Sequence, residues 1–362
     1  MEMPERAARL LGFHAFRAIG YPRLLPLNLT VSVTYSCPSR CLTCDIWQKK
    51  VHNLTVDEYA KIFRSLGRAP MWVTVSGGDQ FLRADLPEIM RLIRHVMRPS
   101  VINLPMNGLL TRRIETLLPE IARHTRGSQL VLNLSIDEVG ERHDQLRGAP
   151  GNWEKILATF RFVRELQREH PHITVGVHTV ISKFNVERIP EIYEHLIQLQ
   201  PDSYLTEIAE QRVELGTATK DIAPSAEQYG EAAQFLIGKL RARRSHHPVG
   251  RLVESLRLEY YQLVQRILVE KRQVIPCFAG WASAHLAPDG DVWGCCVRAE
   301  SMGNVRDHGH DFRKVWFSSR ANEFRRSVRA NECACPLANA AYTNMLLSPP
   351  SLARVAVSYV QR

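Results

Sequence analysis

Residues 27–44 read LNLTVSVTYSCPSRCLTC. Up to Tyr35 the side chains alternate, with Leu29, Val31 and Val33 on one parity and Thr30, Ser32 and Thr34 on the other. Period two is the signature of a strand, whose successive side chains point to opposite faces. The alternation then stops, and Cys37, Cys41 and Cys44 follow in Cys-x3-Cys-x2-Cys spacing. A strand therefore delivers three thiols at its carboxyl end, where active sites of parallel βα folds are assembled.

The same rhythm continues outward. Strands are predicted at 27–35, 71–76, 101–105, 129–136, 173–181 and 202–208, with helical patterns at 56–66, 86–97, 113–124, 153–169 and 186–200 between them. Thr55 and Glu58 stand in capping-box spacing at the start of the first of these helices. Alternating β and α units imply a parallel sheet. Parallel strands covered on both faces read as continuous apolar runs. Here Leu130, Leu132, Leu134 and Ile136 oppose Val131, Asn133, Ser135 and Asp137, while Val175, Val177 and Ile181 oppose Thr174, Gly176 and His178. One face is expected to be wet, so the strands should curve around a polar cavity. The fold class is α/β, a partial (β/α)6 TIM-like barrel, six units being short of the eight that close.

Flanking regions read differently. An N-terminal helical extension (1–27) places Leu10, Phe13 and Ile19 among Arg9 and Arg17 and is expected to cover the barrel (28–210). A helical connector (211–270) follows, with patterns at 225–243 and 251–269 separated by a basic stretch including Arg244, His246, His247 and Pro248. Residues 271–340, rich in Gly, Cys and Trp, form a small cysteine-rich module, and 341–362 a C-terminal tail.

Composition bounds the function. With 362 residues, 45% of them hydrophobic and 23% charged, the chain is an ordinary globular protein. Its net charge of +10 favours anionic partners. The basic clusters at 241–244 and at Arg325-Arg326 lack a nucleic-acid motif or interleaved aromatics, so no nucleic-acid partner is expected. No apolar run reaches transmembrane length. The apolar stretch 10–19 is broken by His14 and Arg17 and follows Glu2 and Glu5, unlike a secretory signal. A reducing, cytoplasmic setting is expected, in which eight clustered cysteines point to metal or catalysis rather than disulfides.

Zinc usually takes four protein ligands, and near Cys37, Cys41 and Cys44 only Asp45 and His52 offer a fourth. A 4Fe-4S cluster on three cysteines keeps one iron open for a small bidentate group. The spacing resembles the signature of the radical S-adenosylmethionine (SAM) enzymes. In that family the open iron binds the amino and carboxylate groups of SAM, and reductive cleavage yields a 5'-deoxyadenosyl radical that abstracts hydrogen. Ser76-Gly77-Gly78-Asp79 resembles the family's Gly-Gly-Glu motif, which meets the methionyl amino group, with Asp79 in place of Glu and Gln80 in place of the usual Pro. Met106-Asn107-Gly108-Leu109 is similar to its Thr-Asn-Gly turn. The segment from Leu134 to Asp137, with His143, Arg147-Gly148 and Gly151, resembles the one in which a Ser and an Arg hold the SAM carboxylate. The resemblance assigns that role to Ser135 and Arg147, and a ribose-side contact to Asn185.

The second cysteine group, Cys277-x12-Gly290-x4-Cys295 with Cys333 and Cys335, resembles the SPASM and twitch modules that follow many radical SAM barrels. It implies one auxiliary 4Fe-4S cluster on Cys277, Cys295, Cys333 and Cys335. Cys296, on the opposite parity to Cys295, stays spare. Four thiolates at this second site would also suit a structural zinc.

The resemblance implies hydrogen abstraction from a small molecule, such as a phosphorylated or sugar-containing one, since no leader-peptide-binding domain is read before the barrel. It also implies an electron donor such as flavodoxin or ferredoxin. His178 and Glu207 are candidate lumen groups, with Glu210 beside them, and the loop 209–219 is expected to set specificity. Two alternatives stay open at this point: a peptide or protein maturase, and a zinc-supported protein binding nucleic acid or lipid.

Overall fold

The structure, a computed structural model, describes residues 3–243 and 248–361; Arg244, His246 and His247 of the basic stretch lie outside them. Helix α1 (Met3–Ile19) precedes β1 (Asn28–Ser32). Then come α2 (Val56–Leu66), β2 (Trp72–Ser76), α3 (Leu86–Leu92), β3 (Val101–Met106), α4 (Thr111–His124), β4 (Gln129–Ser135), α5 (Glu141–Arg147), α6 (Asn152–Glu169), β5 (Ile173–Ile181), α7 (Ile189–Ile197) and β6 (Ser203–Ile208). Two long helices follow, α8 (Ala226–Ala242) and α9 (Pro248–Glu270). The last third holds β7 (Ser283–Leu286), β8 (Asp291–Trp293), β9 (Ser301–Asn304), α10 (Phe312–Trp316), α11 (Ser319–Arg329), α12 (Ala338–Leu346) and α13 (Pro349–Val360).

All nine strands join one sheet in the order β6-β5-β4-β3-β2-β1-β7-β8-β9. The first six run parallel, so the barrel is partial and open, with β6 at one edge. β7 pairs parallel with β1, Thr30 opposite His285, and the β7–β8–β9 meander carries the sheet on antiparallel. The cysteine-rich module is thus an extension of the barrel wall. The thiol loop and the strand that opens this module share β1. No helix among the described residues is long and apolar enough to cross a membrane.

The capping box is formed: Thr55 Oγ1 accepts from Glu58 N at 3.3 Å and Thr55 N donates to Glu58 Oε2 at 2.7 Å. Two sequence expectations are corrected. The polar parity of β1 is not wet, because α12 plugs the base of the lumen: Asn28 Nδ2 donates to Asn339 Oδ1 at 2.7 Å, and Asn339 Nδ2 donates to Thr30 Oγ1 at 2.7 Å. From the stretch expected as a tail, Thr343 Oγ1 accepts from Asn28 Nδ2 at 3.0 Å, and Arg354 of α13 pairs with Glu259 of α9 at 2.7 Å. At the carboxyl ends of the strands, Ser76, Ser135, His178 and Glu207 are partly exposed. Helix α5 escaped the periodicity because it spans only seven residues between Gly140 and Gly148.

A charged clamp joins the module to α2. Arg306 donates to Glu58 Oε1 at 2.7 Å and to the carbonyls of His52, Asn53 and Asp289 at 3.1, 3.2 and 3.1 Å, and His310 Nε2 lies 3.0 Å from Glu58 Oε1. The Arg306 hydrogen bonds hold the Glu58 carboxyl well below its ordinary value of 4.5. A depressed carboxyl stabilises the fold above its unfolded value, and that contribution is lost as pH falls. Glu58→Gln should cost about 1–2 kcal/mol at neutral pH. Denaturation of wild type and variant across the acid range should show the difference shrinking as pH drops.

Candidate active site

The thiol loop is clamped from two sides. Arg40 N donates to Arg147 O at 3.1 Å and Leu42 N to Leu146 O at 2.9 Å, docking the loop on α5. Opposite, Gly78 N donates to Thr34 O at 2.7 Å and Asp79 N to Ser36 O at 2.8 Å. A Cβ on Gly77, whose φ is +129°, would lie 2.1 Å from Thr34 O, and one on Gly78 would lie 2.2 Å from Ser36 O. Only glycine allows this approach. In the structure, what the two glycines meet is the backbone that leads into Cys37.

Around the loop the polar side chains are tightly committed. Asp79 Oδ1 accepts from Phe81 N at 3.0 Å and its Oδ2 from Asn107 Nδ2 at 3.0 Å, while Asn107 Oδ1 accepts from Leu109 N at 2.9 Å. Burial raises the Asp79 carboxyl. Arg147 Nη2 lies 2.9 Å from Asp137 Oδ2, the guanidinium lies against the Cys41 thiol, and its Nε is buried without a partner. Asp137 Oδ1 in turn accepts from Val180 N at 2.8 Å. The Asn185 amide is fully engaged, accepting from Ser182 N at 2.8 Å and donating to Asp137 O at 2.7 Å and Val180 O at 3.0 Å. Ser135 and His178 are register partners on β4 and β5 at the lumen end of the sheet. His143 faces Asn152 Oδ1 at 3.1 Å, and burial pushes it down to about 4, so it is neutral.

Both cysteine sets are enclosed. Burial pushes the Cys37 thiol up to about 11 and those of Cys44 and Cys295 to about 12, and raises Cys41, Cys277 and Cys335 as well. Such thiols ionise when a cationic metal centre compensates the buried charge. In the second set Cys277 and Cys333 bear on one another, Cys295 on both, and Cys335 on Cys277 and Cys295. Among the described residues, no three thiols of either set gather within 4.8 Å. One tetrahedral zinc, with bonds of about 2.3 Å, would need sulfurs about 3.8 Å apart. The wider spacing fits an iron-sulfur cluster.

Between the two sets lies a charged lumen. His178 Nε2 is 3.8 Å from Glu207 Oε1, and Arg212 Nη2 is 3.8 Å from Glu207 Oε1 and 3.7 Å from Glu210 Oε1, all too long for hydrogen bonds. Both Glu210 oxygens, Arg212 Nε and the Tyr35 hydroxyl are buried without partners. Burial pushes Glu210 up to about 7. The segment 209–220 roofs this space. Asp45 N donates to Leu215 O at 2.8 Å, Val213 N to Val297 O at 2.9 Å, and Lys220 Nζ pairs with Asp45 at 2.5 Å, tying the roof to both cysteine segments. A cavity of about 270 Å³ opens beside it, lined by Tyr35, Ser36, Trp47, Lys49, Lys50 and Asn53 among others. Sequence reasoning missed Arg212; its only trace is the alternation Glu210, Arg212, Glu214.

Comparison with known proteins decides the family. A profile of the radical SAM superfamily matches residues 31–196, and one described as an iron-sulfur cluster-binding domain, SPASM, matches 277–336. The chain carries a radical SAM domain followed by a SPASM domain. It is an enzyme of SAM and 4Fe-4S clusters, which excludes the zinc-supported binding protein as its class. An AdoMet-dependent heme synthase of Methanosarcina barkeri is 25% identical over 308 residues, 82% of either chain. The subtilosin biosynthesis protein AlbA of Bacillus subtilis is 21% identical over 293 residues, covering 78% of this chain and 58% of AlbA. Among solved structures, SuiB of Streptococcus suis bound to precursor peptide SuiA superposes with a TM-score of 0.63 at 13% identity, over 90% of this radical SAM enzyme and 71% of SuiB. The enzyme anSMEcpe with bound AdoMet and a peptide gives 0.59 at 14% identity, over 93% and 98%. At these identities the superpositions establish the fold.

Anaerobic reconstitution should yield about eight irons per chain, falling to about four when Cys37, Cys41 and Cys44 are all changed to Ala. Gly78→Ala should also lose about four irons, because its Cβ would displace the chain entering Cys37. Iron analysis of the three proteins checks both.

Proposed function

We propose that this radical SAM enzyme oxidises a small, polar, anionic molecule held in the roofed lumen. The observation that carries this reading is the buried Glu210–Arg212 pair, with two carboxylate oxygens and a guanidinium Nε unpartnered beneath the 209–220 roof. Buried polar atoms without partners cost stability, and a ligand that supplies them removes the cost. A roof tied to both cysteine segments leaves room for a small molecule. Lys49 and Lys50 in the adjoining cavity, with the +10 net charge, favour an anionic one such as a carboxylate, a phosphate or a sugar phosphate.

In this reading Cys37, Cys41 and Cys44 hold the first cluster, and Cys277, Cys295, Cys333 and Cys335 the auxiliary one. Ser135 and Arg147 meet the SAM carboxylate, with Gly77, Gly78, Asp79 and Asn107 shaping the amino end. Asn185 acts as a positioning residue, since its amide fixes the Asp137 that orients Arg147. When bound, the first cluster and SAM supply abstraction of hydrogen from an unactivated C–H bond. Arg212 Nε donates to a substrate oxygen, and the roof excludes water. Glu210 accepts the proton that the substrate radical loses with its second electron, for which the auxiliary cluster on Cys277, Cys295, Cys333 and Cys335 would be the acceptor. His178 and Glu207 line the far wall. A flavodoxin or ferredoxin, both acidic, suits the basic surface as electron donor.

Only the Glu210 carboxylate takes a proton, so turnover should fall as pH is lowered through about 7. Glu210→Gln should lower kcat by about 10²–10⁴-fold and remove this acid limb while SAM still binds. The substrate class is tested by anaerobic 5'-deoxyadenosine formation with the dialysable and the protein fractions of a cell extract. Stimulation by the dialysable fraction supports a small molecule. Stimulation by the protein fraction alone would establish the maturase reading, to which AlbA and SuiB give precedent.

A further inference from the structure

Cys296 is absorbed by neither cluster. It follows Cys295 in the turn after β8, and its thiol lies among Glu214, Arg212 and Glu210. Among the described residues, one group places three metal-ligating atoms of different side chains within 4.8 Å of one another, and it is Glu214, His285 and Cys296, all buried. His285 Nε2 is 3.3 Å from Glu214 Oε1, and Ser32 Oγ lies 2.9 Å from His285 Nε2. The three residues come from separate segments: the roof, β7 and the turn after β8. Glu214 N donates to Cys296 O at 3.3 Å, which ties two of those segments together. Trp293 packs on the imidazole with ring centroids 4.8 Å apart and so fixes its orientation.

We propose that Glu214, His285 and Cys296 form a mononuclear zinc site, separate from both iron-sulfur clusters, with a fourth position for a water or a substrate oxygen. The donor set of one carboxylate, one imidazole and one thiolate is of the borderline-soft kind that zinc takes, and three protein ligands with one open position is the arrangement of reactive zinc centres. Four-coordinate zinc, with bonds of about 2.0–2.3 Å, sets ligand atoms about 3.3–3.8 Å apart, a small contraction of the present cluster. Charge permits the ion. Glu207, Glu210 and Glu214 stand against Arg212 and Lys49 here, and a zinc-bound thiolate adds a further negative charge. The stacked Trp293 fixes the plane of the imidazole, and zinc at Nε2 would take the place of the Ser32 Oγ contact which that nitrogen makes here.

The site is independent of the substrate, so its test needs none. Holoenzyme reconstituted with iron and sulfide is dialysed against zinc and then against buffer, and both metals are counted. About one zinc per chain beside about eight irons is expected. Zinc X-ray absorption should report one sulfur at about 2.3 Å, with nitrogen and oxygen at about 2.0–2.2 Å. His285→Ala and the isosteric Glu214→Gln should each lose the zinc and keep the iron, so a folding failure of one variant leaves the other to decide. No retained zinc in the wild type, zinc undiminished in both variants, or zinc bound by several sulfurs would each overturn the site. Loss of iron in the wild type would count against the cluster assignment instead.

Discussion

Everything in this enzyme hangs on β1, which is hydrogen-bonded on both sides. β2 lies against one side and β7 against the other, so a strand of five residues fixes the barrel wall and the start of the SPASM module together. Its carboxyl end launches the first cysteine loop, and its neighbour β7 leads through a tight hairpin to Cys295. Two metal-binding segments more than 200 residues apart in the chain are thereby held by one ladder of backbone hydrogen bonds, a geometry that side-chain rearrangement cannot loosen. Full burial of both faces of β1 follows: the apolar parity packs under the helices and the polar parity under α12.

The lumen resolves a conflict between burial and charge. α12 covers β1 from below and the 209–220 segment covers Glu210 and Arg212 from above, and burial raises the cost of each ion there. The chain meets that cost by pairing wherever it builds framework: Arg147 with Asp137, Arg188 with Glu138 at 2.6 Å, Arg83 with Asp85 at 2.6 Å. It leaves contacts long or open at Glu207, Glu210 and Arg212, which face one another in the lumen. The contrast between satisfied and unsatisfied buried charge marks where a ligand belongs more sharply than the count of charges does.

Much of this was legible in the sequence because it is local. Helix α2 and strand β5 have the bounds that periodicity predicts, since the capping box and a long alternating run are short-range signals. The cysteine spacings, the Gly77-Gly78 pair and the family they resemble are equally local. The parts not legible are made by chain returns. Nothing in Asn339 or Thr343 announces that they will plug the lumen against Asn28, and the polar parity of β1 read as solvent-facing for that reason. Nor does the sequence between 209 and 220 announce a roof. Apart from the Lys220–Asp45 ion pair, its ties to Asp45 and to Val297 are made by backbone atoms, to which side-chain patterns are blind.

The spare cysteine follows from the same geometry. The turn after β8 carries Cys296 to the side where the parallel pairing of β7 with β1 has already placed His285 beside Ser32. The roof then adds Glu214, because its backbone is bonded to that of Cys296. Three ligand types meet there as a consequence of sheet pairing and one loop contact, with no local motif to signal them. A carboxylate and a thiol brought together with an imidazole in a buried site are costly neighbours once ionised. A divalent cation would turn that cost into cohesion between the roof, β7 and the cluster hairpin, the three elements that enclose the substrate.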